Sequence, residues 1–131
     1  MLRDPVVGIV MATMLEAAPF LTNLKTEEGE AGPFPVFAKD RLRVIISGVG
    51  KAHAAMACSY LIQRFNPEVL CNLGAAGATD GRFVLGECLQ IERIIEPDRP
   101  DLDTGQPHEH APDILEGFSS VTLATQDKPI R

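Results

Sequence analysis

The sequence predicts an α/β fold: a three-layer domain with a mixed or mostly parallel sheet and helices on both faces. Two apolar β-type runs, residues 42–46 and residues 68–73, each lead into a glycine cluster. A pattern with helical spacing lies between them, at residues 52–65. Strand, glycine turn, helix, strand and glycine turn build a parallel sheet, and ligands bind at the carboxyl ends of its strands.

An apolar run and a capping signal predict the amino-terminal elements. Residues 6–12 are continuously apolar and rich in Val and Ile, as in a strand that is buried on both faces. Thr13 follows as a helix N-cap, and Glu16 stands three residues on, which is the spacing of a capping box. Because Pro19 lacks the N–H that a helix interior needs, we expect a kink or a late start of this helix.

A hairpin and a second helix are predicted next. Residues 34–38 and 42–47 flank the charged turn at residues 39–41, which indicates a hairpin. The apolar residues of the second helix recur at helical spacing. They are Ala54, Ala57, Cys58, Leu61, Ile62 and Phe65. Pro67 marks the end of this helix.

The carboxyl-terminal part predicts two further strands, at residues 87–95 and 119–125. Residues 96–112 contain four prolines and many charges, so we expect a Pro-rich irregular loop there. A chain of 131 residues is the size of one domain, and we therefore expect residues 1–131 to form a single domain.

Composition narrows the function classes. A formal net charge of −6 disfavours a nucleic-acid partner, which needs clustered Lys and Arg. No apolar run is long enough for a membrane span. Cys58, Cys71 and Cys88 are odd in number and lie in apolar segments, so we expect reduced core thiols in a cytoplasmic protein. His108 and His110 lack the helical spacing of a zinc motif, so no metal site is expected.

The residue patterns alone leave two interpretations open at each candidate site. Gly48 and Gly50 form either a tight strand-to-helix turn or a backbone surface for a ligand. They do not complete a dinucleotide fingerprint, because the third glycine is missing. Glu16 either only caps its helix or also accepts a proton from a reacting water.

Three stretches in order carry a family resemblance: residues 7–16 (VGIVMATMLE), 47–51 (SGVGK) and 72–78 (NLGAAGA), with a weaker match at residues 85–87. They resemble the nucleoside phosphorylase and nucleosidase superfamily, and most closely its methylthioadenosine/S-adenosylhomocysteine nucleosidase branch. The resemblance runs from about Pro5 to Ile91. It implies a phosphorylase/hydrolase-like fold in which this chain is similar to the N-terminal half, apparently truncated.

The resemblance implies hydrolysis of the N-glycosidic bond of a purine nucleoside, without metal or organic cofactor, by a cytoplasmic homodimer. Glu16 matches the family glutamate that orients the attacking water. The implied substrate-binding residues are Thr13, Val49, Gly50, Ala75, Ala76, Gly77 and Asp127. The family's ribose-gripping Met-Glu pair and its general-acid aspartate have no counterpart here, so we expect weak catalysis from these 131 residues alone.

The sequence also departs from the family within the matched stretches. Leu73 stands where a threonine is usual, Ala75 where a serine is common, and Ala78 where a second glycine is usual. Lost hydroxyls mean lost donors for a phosphate, which disfavours phosphorolysis. The cationic phosphate cradle that phosphorolysis needs is also missing near the glycine turns, since the nearest arginine is Arg82. The alternatives are a phosphorolytic enzyme and a non-catalytic fragment that retains the fold.

Overall fold

The computed structural model describes residues 4–128. The elements in chain order are β1 (Val7–Met11), α1 (Met14–Leu24), β2 (Glu27–Glu28), β3 (Val36–Lys39), β4 (Leu42–Ile46), α2 (Lys51–Phe65), β5 (Val69–Asn72), β6 (Leu89–Pro100), β7 (Pro107–His110) and β8 (Ser119–Ala124). Where the sequence predicts a single domain, the structure has two compact units, with the boundary between Ala76 and Gly77.

The first unit contains a mixed five-stranded sheet in the order β2-β3-β4-β1-β5. Strand β1 pairs in parallel with β4 on one side and with β5 on the other. The predicted hairpin is confirmed, because β3 and β4 pair in antiparallel fashion around Asp40, whose φ of 49° allows the tight turn. Strand β1 is thus the central one of three parallel strands, β4, β1 and β5, whose carboxyl ends lie at one edge of the sheet.

Alternate residues of the central strands face opposite helices. Ile9 and Met11 of β1 pack in one cluster with Ala17 and Leu21 of α1. The intervening Val10 belongs to a second cluster, with Ile45 of β4 and with Ala57 and Leu61 of α2. The pleat of a strand points successive side chains to opposite faces, so the two clusters are two layers. The predicted α/β architecture with helices on both faces is confirmed for this unit.

A glycine in β1 allows close packing against its neighbours. A Cβ atom on Gly8 would lie 2.9 Å from Leu70 Cδ2 and 3.4 Å from Leu61 Cδ1. Leu61 is completely buried, and full burial of such a side chain contributes about 1.5–3 kcal/mol. The missing side chain at position 8 therefore leaves room for leucines of α2 and β5 over the central strand.

Helix α1 includes Pro19, so the expected late start is wrong. The helix begins directly after Thr13, where the predicted capping box is complete: Thr13 Oγ1 accepts from the N–H of Glu16, and the Glu16 side chain accepts from the N–H of Thr13. Reciprocal capping satisfies two N–H groups that would otherwise lack partners. The helix ends at Leu24, and its C-cap Lys25 has a left-handed backbone.

The second unit is a three-stranded sheet in the order β7-β6-β8. Its β6 pairs in antiparallel fashion with β7 and in parallel with β8. The irregular loop expected at residues 96–112 is therefore wrong for most of that range, because β6 continues to Pro100 and β7 begins at Pro107. The last β6 residue that pairs with β8 is Ile95, so Pro97 and Pro100 take no part in that pairing. The β6–β7 register also shifts between Glu96 and Pro100, and prolines are tolerated at such irregular positions.

The charged residues on which the loop prediction rested form pairs across the β6–β7 hairpin. Glu96 is only 5% exposed, and its Oε2 lies 2.7 Å from His110 Nε2 and 3.2 Å from Arg99 Nη1. Arg93 lies 3.7 Å from Glu109 at the neighbouring position. Buried carboxylates need such partners, so the charged residues support strand pairing here.

The three cysteines form no disulfide. Cys58 and Cys71 are partly buried, but Cys88 is exposed, so the expectation of a core thiol is wrong at that position. Cys88 precedes β6 by one residue and lies outside both hydrophobic clusters. Among residues 4–128, no helix has the length and apolar character needed to cross a membrane.

Candidate functional site

The candidate site lies at the carboxyl ends of β1, β4 and β5. Hydrogen bonds that continue past the strands hold the three turns together. The N–H of Gly48 donates to the carbonyl of Ala12 over 2.9 Å, which joins the turn after β4 to the turn after β1. On the other side, the N–H of Leu73 donates to the carbonyl of Val10 over 3.0 Å. The two glycine turns therefore flank the start of α1, at the edge where open α/β sheets bind ligands.

Glu16 connects the first and third of these turns. Its Oε2 accepts from the N–H of Thr13 over 3.2 Å and from the hydroxyl of Thr13 over 3.1 Å. Its Oε1 accepts from the N–H of Ala75 over 3.0 Å. The two interpretations of Glu16 are thus compatible in geometry, because one oxygen caps α1 and the other faces the turn after β5.

The carboxylate of Glu16 retains acceptor capacity. An ionised carboxylate offers about four lone-pair sites, two on each oxygen. The two donors from Thr13 occupy Oε2, whereas Ala75 supplies one donor to Oε1. Oε1 can therefore accept one more hydrogen bond, and a water molecule is a donor of the right size. A Cβ on Gly74 would lie 3.2 Å from Oε1, so this glycine keeps the approach to the oxygen open.

The turn after β4 has the backbone that its glycines predict. Gly48 has a φ of 85° and Gly50 a φ of 115°, both of which disfavour other residues. Ser47 is buried, and its hydroxyl donates to the carbonyl of Gly48 over 2.8 Å. The side chain of Val49 is 73% exposed at the tip of the turn. The turn thus combines a fixed backbone with an accessible apolar side chain.

Sequence reasoning did not assign His53 to the site. Its Nδ1 lies 2.7 Å from the carbonyl oxygen of Val49, so the side chain contacts the glycine turn from the first turn of α2. The signal in the sequence was the four-residue spacing between Val49 and His53 at a helix start, where side chains reach back to the preceding turn.

The predicted site residues are divided between the two units. Thr13, Glu16, Val49, Gly50, Ala75 and Ala76 all belong to the first unit. Gly77 is the first residue of the second unit. Asp127 is also in the second unit, where its backbone N–H donates to Asp98 Oδ2 over 2.8 Å. The structure brings Glu16 and Ala75 into direct contact. Gly77 and Asp127 belong to the second unit.

The arginine considered for a phosphate cradle is already paired. Arg82 Nη2 lies 2.8 Å from Asp80 Oδ2, and Arg82 Nε donates to both carboxylate oxygens of Asp80. These side-chain hydrogen bonds lower the pKa of Asp80 and raise the pKa of Arg82. Among the residues that the structure describes, no group of three or more His, Cys, Asp or Glu side chains is arranged to hold a metal ion.

Comparison with known proteins identifies related sequences along nearly the whole chain. The sequence profile of the family described as "Phosphorylase superfamily" matches residues 6–128. A 5'-methylthioadenosine/S-adenosylhomocysteine nucleosidase of Staphylococcus aureus is 32% identical over 120 residues, which cover 87% of this chain and 52% of the relative. The chain therefore spans about half the length of the curated relatives it matches.

Solved structures show the same fold. A 5'-methylthioadenosine/S-adenosylhomocysteine nucleosidase from S. pneumoniae, solved with a transition-state inhibitor, superposes with a TM-score of 0.76 at 21% identity. This superposition covers 93% of the present chain and 64% of that protein. A futalosine hydrolase mutant of Helicobacter pylori superposes with a TM-score of 0.74 at 18% identity, and covers 95% and 69% of the two chains.

Proposed function

The chain belongs to the phosphorylase superfamily, and on this premise we propose that its protein hydrolyses the N-glycosidic bond of a purine nucleoside. The proposed substrates are of the methylthioadenosine or S-adenosylhomocysteine type, because the curated relatives that match carry that activity in their names. The position of Glu16 is the observation that carries the proposal, since its Oε1 faces the glycine-containing turn after β5 and retains one acceptor site.

In the proposed reaction Glu16 orients and deprotonates the attacking water. The water oxygen forms a bond to C1′ of the ribose while the bond between C1′ and the purine nitrogen breaks. The electron pair of that bond leaves with the base, which takes up a proton from solvent water, and the proton of the attacking water passes to the Glu16 carboxylate. A positioned general base contributes roughly 10²–10⁴-fold to such a rate.

We assign the surrounding residues to substrate binding. Val49 offers an exposed apolar side chain to the ribose or its 5′ substituent, and Gly50 exposes backbone at the start of α2. Ala75 donates its backbone N–H to Glu16 and Ala76 follows it in the chain, whereas Gly77 is proposed from the family resemblance. Thr13 contributes by fixing the carboxylate, and Asp127 is proposed as a substrate-binding residue from the family resemblance.

The ion pair between Arg82 and Asp80 favours hydrolysis over phosphorolysis. A phosphate co-substrate needs cations arranged around it, whereas Arg82, the nearest arginine in the sequence, forms an ion pair with Asp80. The small residues Ala75 and Ala76 also supply no side-chain hydroxyl to a phosphate. Water needs only the remaining acceptor site on Glu16.

The test is adenine release from methylthioadenosine by the full-length protein encoded by the gene. We expect release that is independent of phosphate, with ¹⁸O from labelled water appearing in the free ribose product. Release that requires phosphate and yields a ribose 1-phosphate would assign phosphorolysis instead. Binding of methylthioadenosine without any release would favour the non-catalytic alternative.

We also propose a cytoplasmic homodimer that does not bind nucleic acid. The free cysteines fit a reducing compartment, and the net charge of −6 opposes association with a polyanion. On α2 the apolar side chain of Met56 is 60% exposed and marks an outward helix face. A second copy of the chain is the proposed occupant of this face, since exposed apolar patches commonly mark interfaces.

A further inference from the structure

We propose that His53 is a positioning residue, whose imidazole fixes the glycine turn of the candidate site by holding the carbonyl of Val49. This inference rests on the proposed function, because it takes the turn at residues 47–50 to be part of a nucleoside pocket. The side chain reaches back from the first turn of α2, and its Nδ1 lies 2.7 Å from the carbonyl oxygen of Val49.

The turn needs such a restraint. Gly48 and Gly50 both have positive φ, and glycine loses more conformational freedom on folding than any other residue. Gly50 is the N-cap of α2 and supplies no side-chain hydrogen bond to the helix. The His53 ring lies against both glycines: a Cβ on Gly48 would be 3.6 Å from its Cγ, and a Cβ on Gly50 would be 3.7 Å from its Nδ1.

The direction of the hydrogen bond follows from the acceptor. A carbonyl oxygen can only accept, so Nδ1 of His53 carries a proton and donates. The peptide bond between Val49 and Gly50 is trans, and a planar trans peptide places its C=O and N–H on opposite sides. The bond to His53 therefore also directs the N–H of Gly50 away from the ring, and fixes the backbone that carries the exposed Val49 side chain.

In both helices the third residue after the N-cap holds a backbone group of the preceding turn. Glu16 is the third residue after the N-cap of α1, and its carboxylate accepts from the N–H of Thr13. His53 is the third residue after the N-cap of α2, where the group to be held is a carbonyl. A carbonyl needs a donor, so an imidazole takes the place of the carboxylate.

Two nearly isosteric substitutions separate this role from helix stability. In His53→Asn the amide nitrogen is bonded to Cγ, as Nδ1 is in histidine, so a donor remains in position. In His53→Asp an oxygen that cannot donate faces the Val49 carbonyl. A negative charge in the first turn nevertheless favours a helix, so His53→Asp is not expected to unfold α2.

The first measurement is steady-state kinetics of the full-length protein with methylthioadenosine. In His53→Asp we expect KM to rise roughly 3–10-fold, the size of one hydrogen bond, with kcat little changed. In His53→Asn we expect a KM close to that of the wild type. An Asn variant as impaired as the Asp variant would overturn the assignment of the Nδ1 hydrogen bond.

The second measurement does not depend on activity. Amide hydrogen exchange over residues 47–54, read by mass spectrometry without substrate, should be faster in His53→Asp than in His53→Asn and the wild type. Equal exchange in all three proteins would overturn the inference, even if the wild type hydrolyses the nucleoside. If the wild type releases no adenine, the proposed function fails, and the exchange rates still decide whether His53 fixes the turn.

Discussion

The Oε1 atom of Glu16 and the backbone N–H of Ala75 form a 3.0 Å hydrogen bond across 59 residues of sequence. This bond ties the first turn of α1 to the turn that follows β5, on the far side of the central strand. The other oxygen of the carboxylate is held by Thr13. The orientation of Glu16 is therefore set from two directions, which agrees with the water-positioning role proposed for it.

Replacement of Glu16 by glutamine is expected to lower kcat roughly 10²–10⁴-fold, because an amide cannot take the proton of the attacking water. Glutamine is also found at this position of capping boxes, so α1 should persist. Adenine release and thermal unfolding are the measurements, with Glu27→Gln on the exposed β2 as the matched control. Full activity in Glu16→Gln would reduce this residue to a helix cap.

Gly48→Ala is expected to destabilise the protein by about 1–2 kcal/mol, because its φ of 85° is a left-handed conformation that a Cβ disfavours. Chemical denaturation measures the free energy of unfolding. Gly81→Ala is the control, since a Cβ there would meet nothing within 4 Å and its φ is not positive. Equal effects of the two substitutions would contradict a strained turn at Gly48.

Met56→Glu is expected to weaken self-association, because a charge on the exposed apolar face of α2 would be buried unpaired in a dimer. Light scattering across a concentration series gives the mass. Gln106→Glu adds the same charge at an exposed position between β6 and β7 and should leave association unchanged. A wild type that stays at the mass of one chain would show that the proposed dimer does not form.

The pKa of Asp101 is expected to lie below that of an unfolded aspartate. The N–H of Thr104 is the main cause, followed by the N–H of Asp103 and the hydroxyl of Thr104, all of which donate to Oδ1. The stabilisation is therefore present above the ordinary aspartate pKa and is lost as pH falls through the lowered value. An NMR titration of this carboxyl, compared with the urea-unfolded chain, measures the difference, and coinciding curves would refute it.

Local signals made the elements of the first unit predictable. The spacing of Thr13 and Glu16 predicted the capping box, and apolar runs that end in glycine predicted β4, β5 and the turn after β4. The contact of Glu16 with Ala75 could not be read in this way, because it depends on the register in which β1 pairs with β5. Family resemblance singled out both residues, whereas their hydrogen bond required the fold.

The second unit was less predictable because its stabilising contacts are distant in sequence. Glu96 is a charge next to a proline, which locally favours a loop. Only the return of the chain brings His110 to 2.7 Å and makes a buried carboxylate compatible with a strand. His53 was overlooked for a different reason, since its only local signal is the four-residue spacing from Val49 at a helix start, and many helices show such a spacing without this contact.

The absence of a side chain at Gly8 links positions that are far apart in sequence. Because a Cβ at position 8 would approach Leu70 Cδ2 to 2.9 Å, any larger residue at this position would require Leu70 to move or to be smaller. Homologous sequences are therefore expected to change positions 8 and 70 together, so that an alanine at the first accompanies a shorter residue at the second. The central strand thus constrains how sequences in this family diverge.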